Sequence, residues 1–373
     1  MIYIAGISIA VFISALLLVK KNKSKSDYFL FLWMLLNAVH LTIFYLIHTD
    51  DIYNYPQLLG LQFPLPLLHG VFLYLYVSSV TNQFPNRKYI PYLHLIPTIL
   101  TYIYLIPFFL LPNEQLIEIF KNKGKGYETF QTTLLIAVFL SGVIYVFWSS
   151  ILLKNHKKNI RNQFSDIEDI NLKWLQFLIY GLGLVWLIVI ISQNNTYIFA
   201  GVSVFVILVG FFGVQQKNIF NSNKPISTTN KDKLLKNNLK TYKENSKQKY
   251  QNSGLTDKLV DEYYNKLIIL MEQKELYKNA DLSLNYLANE LTIHPNYLSQ
   301  IINEKQNKSF YDFVNTFRVE EFKRLIAIPK NQQFTIMAIA YDCGFNSKSS
   351  FNRHFKKNTG LTPSQFIKSI TSD

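Results

Sequence analysis

Residues 283–303 read SLNYLANELTIHPNYLSQIIN, and this stretch decides the fold of the C-terminal part of the chain. Ser283 suits an N-cap, and apolar residues such as Leu287 recur after it at helical spacing. A break over 292–294 leads to Pro295, a residue favoured at the first position of a helix. Two helices joined by so short a turn are typical of a helix-turn-helix, which presents its second helix to the major groove of DNA.

The second helix of this pair leaves small polar side chains on its outer face, because its apolar residues pack inward. These candidate DNA-contacting residues are Asn296, Ser299, Gln300 and Asn303. Asn and Gln side chains can make paired hydrogen bonds with the edge of adenine. The pattern therefore predicts base contacts rather than a merely solvated face.

The same pattern recurs at 335–358, where Thr335 suits an N-cap and Gly344 supplies a turn that often needs a positive φ. The candidate DNA-contacting residues of the second motif are Lys348, Ser349, Asn352, Arg353, Lys356 and Lys357. Lys356 and Lys357 extend a basic surface suited to phosphates. Between the two motifs, residues 309–328 predict one long amphipathic connecting helix.

The stretch GFNSKSSFNRHFKKNTGLTPSQF at 344–366 resembles the C-terminal signature of the AraC/XylS family of transcription regulators, and the resemblance covers about 281–368. It implies an all-helical domain whose two helix-turn-helix units enter successive major grooves. The matching positions are a first reader helix at 294–303 and a second at 347–358. Promoter DNA, RNA polymerase and a second copy of the chain are the expected partners, and we expect no cofactor or metal.

Three positions depart from the pattern of that family. His294 replaces the Ser usual at the cap of the first reader helix, and Asn307 stands where Gly usually ends that helix. Asn tolerates the left-handed conformation, so the second departure is mild. Phe322 replaces a common Ala in the connecting helix, which predicts different local packing.

The first 214 residues have a different character, because they contain apolar runs long enough to cross a bilayer. The seven runs are 1–19, 28–48, 58–82, 89–112, 130–153, 172–192 and 195–214. The first run has no basic residue before it and no small-residue cleavage site after it, so we interpret it as a retained span rather than a signal peptide. The sequence thus predicts a seven-helix membrane bundle ahead of the DNA-reading domain.

The loops between the runs predict the orientation. Loops 20–27, 83–88 and 154–173 hold eleven Lys and Arg residues, whereas the alternate loops hold three. Basic loops stay in the cytoplasm, so we expect the N-terminus outside a bacterial inner membrane and the C-terminal domain inside. Trp33, Trp148 and Trp174 lie near the cytoplasmic ends of their runs and predict an interfacial aromatic belt.

Composition predicts four regions. The membrane region 1–214 carries 14 basic against 9 acidic residues, and the remainder carries 24 against 15. Residues 215–255 are rich in Lys, Asn, Ser and Gln and predict a basic linker. Residues 256–275 predict an amphipathic helix capped by Thr256, which either packs on the following domain, 281–368, or forms a dimer seam.

Other classes of function find less support. We find no phosphate loop, zinc-ligand spacing, nucleophile elbow or paired carboxylates, so we do not expect an enzyme. No Asp or Glu lies within the seven runs, which disfavours transport. Three histidines lie within the runs: His40, His69 and His94. They could bind a metal or a carboxylate ligand, but such residues more often form hydrogen bonds between helices. The third and fourth runs are interrupted by Pro64, Pro66, Pro97 and Pro107. These prolines either bend the helices and open a pocket or are simply tolerated, as they often are in membrane helices.

Seven spans ahead of such a domain resemble a class of membrane-embedded AraC-type regulators from Bacteroidetes-like bacteria. The leading hypothesis is a sequence-specific regulator that couples a signal at the membrane to promoter binding. The alternative is a membrane receptor or transporter whose helix-turn-helix tail is only regulatory.

Overall fold

The computed structural model describes residues 1–85, 89–168, 170–192, 194–215 and 256–371, apart from the side chains of 212–215, 332 and 371. The expected linker at 215–255 therefore lies outside the described residues, except for the backbone of Gln215. The described residues contain helices and no strand, with one isolated bridge between Phe164 and Ser283. The prediction of an all-α fold is confirmed for this part of the chain.

The chain divides into two compact units. Unit 1 comprises 1–154 and 172–243, and unit 2 comprises 155–171 and 244–373. Unit 2 thus includes a short segment that is separated in sequence from the C-terminal domain. This segment is called the 155–171 segment below.

Unit 1 contains the apolar helices. They are α1 (Ile2–Val19), α2 (Lys25–His48), α3 (Leu65–Val80), α4 (Ile90–Leu93), α5 (Ile96–Phe109), α6 (Asn113–Lys121), α7 (Glu128–Gln163, whose last nine residues belong to unit 2), α8 (Lys173–Ser192) and α9 (Asn195–Gln215). Short 3₁₀ turns at Asp51–Asn54 and Pro56–Leu58 precede α3. The helices pack around one large apolar core, and a smaller core forms near the 3₁₀ turns.

The described residues do not form seven straight membrane spans. Four helices (α1, α2, α7 and α8) are long and apolar enough to cross a membrane, or five if α5 and α6 count as one broken span. The run 89–112 is not a single helix: α4 has only four residues, and α5 begins separately at Ile96. Just after the run, α5 meets α6 at 114°. Pro97 in the first turn of α5 and Pro112 at the N-cap of α6 stand at the breaks, because proline removes a backbone donor and clashes with the preceding turn, whereas Pro107 lies inside α5. The run 58–82 yields only the 16-residue helix α3.

Two local features of α2 show how sequence determines its position. Ser24 and Asp27 form a reciprocal capping box at its start, and Lys20 forms a 2.8 Å ion pair with Asp27. Trp33 is fully buried and donates a hydrogen bond to His69 at 3.3 Å. The expectation that Trp33 belongs to an interfacial belt is therefore wrong, because its indole N–H is satisfied inside the bundle.

Unit 2 carries the remaining helices. They are α10 (Asp257–Lys274), α11 (Leu284–Glu290), α12 (Pro295–Gln306), α13 (Phe310–Ile326), α14 (Ile336–Asp342), α15 (Lys348–Thr359) and α16 (Pro363–Thr371). The pairs α11–α12 and α14–α15 are the two expected helix-turn-helix units, and α13 connects them. The first reader helix is α12 and the second is α15.

Each helix-turn-helix unit has its own apolar core. The first core includes Leu267 and Met271 of α10, so the apolar stripe of this helix packs against the domain that follows it. Thr256 makes no side-chain cap to α10, contrary to expectation. In the second core Phe322 is fully buried between Phe351 and Phe355, which shows how the departure at this position is accommodated.

Candidate nucleic-acid interface

The first reader helix begins and ends at two residues that depart from the family pattern. His294 Nδ1 accepts a hydrogen bond from the backbone N–H of Asn296 at 3.2 Å, so imidazole replaces the usual hydroxyl as the cap. Asn307 ends the helix at φ +49°, the left-handed conformation expected there. Both departures therefore preserve the placement of α12.

The second reader helix is bounded in the same manner. The Ser347 hydroxyl accepts from the backbone N–H of Ser350 at 3.1 Å, and Gly360 ends the helix at φ +76°. Gly344 sits in the preceding turn at φ +93°, where an added Cβ would lie 2.5 Å from the carbonyl oxygen of Tyr277. Only glycine combines that backbone conformation with so close an approach.

The expected contact residues of α12 lie on one side of the helix. Leu298, Ile301 and Ile302 are fully buried, which leaves the polar residues on the opposite side. Asn303 is exposed, whereas Asn296, Ser299 and Gln300 are half-buried. This arrangement offers amide and hydroxyl groups with little net charge.

The six expected contact residues of α15 are all exposed. Five of them line a groove of about 940 Å³ together with the first residues of α14 and α16: Lys348, Asn352, Arg353, Lys356 and Lys357. Four of those five are basic, so the groove has a strongly positive side. Ser349 does not line it and lies beside the 155–171 segment.

Acidic side chains of the 155–171 segment contact the second helix-turn-helix unit. Ser349 donates to Glu168 at 2.6 Å, and a guanidinium nitrogen of Arg353 lies 4.0 Å from the same carboxylate. Asn346 donates to Asp166 at 2.7 Å. Two of the candidate contact residues, Ser349 and Arg353, therefore already have an anionic partner within the chain.

A third carboxylate, that of Asp312, pairs with a lysine at the C-terminal end of α15. Asp312 of α13 accepts from Lys357 at 2.7 Å and from Arg161 at 3.0 Å. Burial opposes the charged form, but the hydrogen bonds from Lys357 and Ser309 and the charge of Arg161 lower the pKa of Asp312 overall. Asp312 is thus an anion held between two cations.

Arg318 anchors the 155–171 segment. It is fully buried and donates to backbone oxygens of Tyr277, Asn279 and Ser165 at 2.7, 2.9 and 3.2 Å, and to the Ser165 hydroxyl at 3.0 Å. The backbone oxygen of Ser165 also accepts a hydrogen bond from the Asn315 side chain at 3.1 Å. Burial lowers the pKa of Arg318 to about 10, so it keeps its charge at neutral pH. Phe164 and Ile167 are buried on either side of this anchor.

Two buried rings support the base of α15. Tyr311 contacts Arg353 through its hydroxyl and packs edge-on against His354 at 4.7 Å between ring centroids. Burial, with the charge of Arg353 second, lowers the pKa of His354 to about 3. Neither ring nitrogen of His354 has a partner among the described residues. His354 is therefore a neutral packing residue rather than a DNA-contacting one.

Sequence reasoning missed the contribution of the 155–171 segment. It weighed the basic residues of loop 154–173 for orientation and passed over Asp166, Glu168 and Asp169, which form the one acidic group of that loop. An acidic group in a basic loop is a signal for a basic partner. The partner itself was invisible, since nothing in the spacing links positions 168 and 349.

The three membrane-region histidines do not converge. His40 and His69 are joined at 3.0 Å, whereas His94 bonds to the hydroxyl of Tyr145 at 2.8 Å. Within the described residues, no group of three or more His, Cys, Asp or Glu side chains is placed to hold a metal. Cys343 is buried in unit 2, and burial raises the pKa of its thiol to about 12.

Comparison with known proteins identifies the C-terminal domain. A family described as "Helix-turn-helix domain" matches residues 287–369. The chain is 33% identical over 92 residues to the uncharacterized HTH-type transcriptional regulator YobQ of Bacillus subtilis (strain 168), which is 25% of this chain and 37% of that protein. It is also 33% identical over 92 residues to the uncharacterized HTH-type transcriptional regulator YijO of Escherichia coli (strain K12), covering 25% and 31% of the two chains.

A solved structure, of a protein of unknown function from Listeria innocua, is 30% identical and covers 27% of this chain and 92% of that one, with a TM-score of 0.24. The chain spans about a third of the length of the two curated relatives named above. The C-terminal part of the chain is thus a helix-turn-helix DNA-binding domain of the type found in transcriptional regulators.

Proposed function

We propose that this chain is a membrane-embedded transcription regulator that binds promoter DNA through α12 and α15 and couples that binding to a signal at the membrane. The observation that carries the proposal is the pairing of Glu168 with Ser349 and Arg353. It joins a segment that is flanked in the chain by apolar helices to the helix best suited to bind DNA.

The apolar surface of unit 1 supports the membrane part of the proposal. Side chains of α7 and α8 such as Phe147 and Leu184 are more than half exposed, although they are large and apolar. Soluble proteins rarely expose contiguous apolar patches of this kind, whereas lipid-facing helices do so by necessity. The distribution of basic loops supports an N-terminus outside a bacterial cytoplasmic membrane and a reader inside it.

The charges of unit 2 support the DNA-binding part. The second reader helix presents basic side chains in one groove, and the first presents amides and hydroxyls. Phosphate contacts supply affinity, and amide or guanidinium contacts to base edges supply sequence preference. Promoter DNA is therefore the proposed partner, with RNA polymerase and a second copy of the chain as further expected partners.

Coupling requires two states that bind DNA with different affinities, because a signal acts only through such a difference. In the described state Glu168 competes with phosphate for Ser349 and Arg353. In the proposed active state the 155–171 segment withdraws its carboxylates from α15. A change in α7 or α8 reaches that segment directly along the chain.

The test is genome-wide DNA occupancy of the full-length protein in its native host, compared with a variant carrying Gln300→Ala and Arg353→Ala. The full chain is needed because Ser165 bonds to Arg318, so removal of 1–214 would damage unit 2 itself. We expect discrete peaks with a shared motif that the variant loses. No enrichment over background, with and without candidate signals, would favour a receptor or transporter with a regulatory tail, whereas equal peaks in both proteins would mean that Gln300 and Arg353 do not contact DNA.

A further inference from the structure

The helices of unit 1 line a half-open cavity of about 630 Å³. This volume falls within the roughly 300–1,000 Å³ of sites that hold small molecules. Its wall is mainly aromatic and aliphatic, with a few polar side chains: Asn37, His40, Gln62, His69, Lys123, Gln131 and Asn195. No carboxylate lies among the described residues that line it, and Lys123 contributes a positive charge.

A chain of hydrogen bonds fixes the protons of the two histidines in this wall. The indole N–H of Trp33 can only donate, so Nδ1 of His69 must accept across 3.3 Å. The proton of neutral His69 therefore sits on Nε2, which lies 3.0 Å from Nδ1 of His40. His40 Nδ1 must then accept, and its own proton sits on Nε2. A second proton on His69 would point at the Trp33 N–H, and a second proton on His40 would point at the His69 Nε2–H. Both rings are therefore neutral.

The result is one oriented donor in an apolar wall. His40 Nε2–H makes no hydrogen bond within the described part of the chain, although only 6% of the residue is exposed. A donor in an apolar wall is normally satisfied, so His40 Nε2–H calls for an acceptor within the cavity.

From this geometry we propose that the cavity binds an amphiphile with a long hydrocarbon part and one small headgroup. The headgroup is a carboxylate or a carbonyl, and one of its oxygens accepts a hydrogen bond from His40 Nε2–H. The apolar walls hold the hydrocarbon part. Lys123 and the absence of carboxylates among the described lining residues favour a neutral or anionic ligand over a cation. This inference rests on the proposed function, because it names the chemical class of the signal.

Binding would be tested with the full-length protein in phospholipid nanodiscs and a radiolabelled long-chain fatty acid as the probe, with empty nanodiscs as the background. We expect saturable binding to the wild-type protein. Leu134→Trp fills the cavity and should abolish binding, whereas Leu140→Trp, on the half-exposed outer side of the same helix, should not. His40→Phe should weaken binding about ten-fold, as expected for loss of one hydrogen bond.

Three outcomes would overturn the inference: uptake no greater than that of empty nanodiscs, wild-type affinity in Leu134→Trp, or equal affinity for a hydrocarbon of the same length without oxygen. The methyl ester of the same fatty acid carries a carbonyl but no carboxylate, so comparing it with the free acid shows which headgroup is preferred. Binding of either compound supports the site. DNA binding is measured separately on the same samples. Saturable fatty-acid binding without an effect on DNA affinity would retain the site and reject the coupling. Specific DNA binding by a protein that takes up no fatty acid would retain the regulator and reject the site.

Discussion

Ser349 and Glu168, which are 181 residues apart in the chain, are joined by a hydrogen bond of 2.6 Å. The same carboxylate lies 4.0 Å from Arg353, one turn further along α15. A DNA phosphate that approached these two donors would meet the negative charge of Glu168. Because like charges at such distances repel, DNA and the 155–171 segment compete for the same face of the second reader helix.

The competition predicts that Glu168→Gln strengthens DNA binding. Glutamine keeps the size of the side chain and can still accept from Ser349, but it removes the charge that opposes phosphate. We expect an increase in affinity of about five- to ten-fold at low salt, the size of a single coupling of roughly 1 kcal/mol. Affinity is measured by fluorescence anisotropy with the full chain in nanodiscs and a duplex from an occupied site.

Glu272→Gln is the matched control, because Glu272 is exposed on α10 and its substitution changes the net charge by the same amount. It should leave affinity almost unchanged. An equal gain in both variants would mean that only net charge matters, and the competition at Ser349 would be rejected.

The local parts of the reader were predictable from sequence, because they rest on short-range rules. A cap at Ser283, a left-handed Asn307 and a glycine at 344 each follow from the conformational preference of one residue. Comparison with the helix-turn-helix family bears out this domain at 287–369. The choice of residues that touch DNA stays a prediction.

Long-range features were not predictable in the same way. Hydropathy identified the apolar runs but not their breaks: the proline-rich run 89–112 divides into α4 and α5, and the chain bends by 114° between α5 and α6 just after it. The burial of Trp33 depends on a donor–acceptor pairing with His69 on another helix. The anchor formed by Arg318 and Ser165 joins positions 153 residues apart, and no periodicity encodes such a pair.

Adjacent lysines on α15 should differ in their effect on salt dependence. Lys357 is paired with Asp312 at 2.7 Å, whereas Lys356 has no ion-pair partner among the described residues. A free lysine that contacts phosphate contributes about one unit to the slope of log affinity against log salt. We expect Lys356→Ala to lower the slope by about that unit across all sequences. Lys357→Ala should lower it less, and the reverse order would contradict the pairing.

Two glycines with positive φ provide a matched test of close packing in the second unit. A Cβ at Gly344 would lie 2.5 Å from a backbone oxygen, whereas one at Gly360 would meet nothing within 4 Å. Gly360→Ala should cost only the left-handed conformation, about 1 kcal/mol. Gly344→Ala adds a clash with backbone and should cost at least about 3 kcal/mol of the free energy of unfolding. Pulse proteolysis of the full chain measures both, and equal costs would refute the close approach.

The buried Arg318 should matter far more to stability than a charged neighbour on the same helix. Arg318→Met leaves the Tyr277 carbonyl without a donor among the described residues and removes one of the two donors to the carbonyls of Ser165 and Asn279, which should cost about 3–5 kcal/mol. Arg324→Met removes an ion pair with Glu321 whose arginine side chain is 59% exposed, so the cost should stay below about 1 kcal/mol. Protease cleavage within 155–171 reports whether that segment is released. Similar stability of the two variants would rule out an anchor at Arg318.

Acid should destabilise unit 2 through His354. Burial lowers the pKa of this imidazole from 6.5 to about 3 in the folded chain, so the unfolded chain binds its proton first as the pH falls. The stability is therefore complete above pH 6.5 and declines below it, with a limiting slope of about 1.4 kcal/mol per pH unit. Carboxylates such as Asp312 titrate lower and contribute little near pH 6 to 5. Pulse proteolysis of full-length protein across that interval should show the decline in the wild type and a nearly flat profile in His354→Leu. Parallel profiles would show that His354 is not the titrating group.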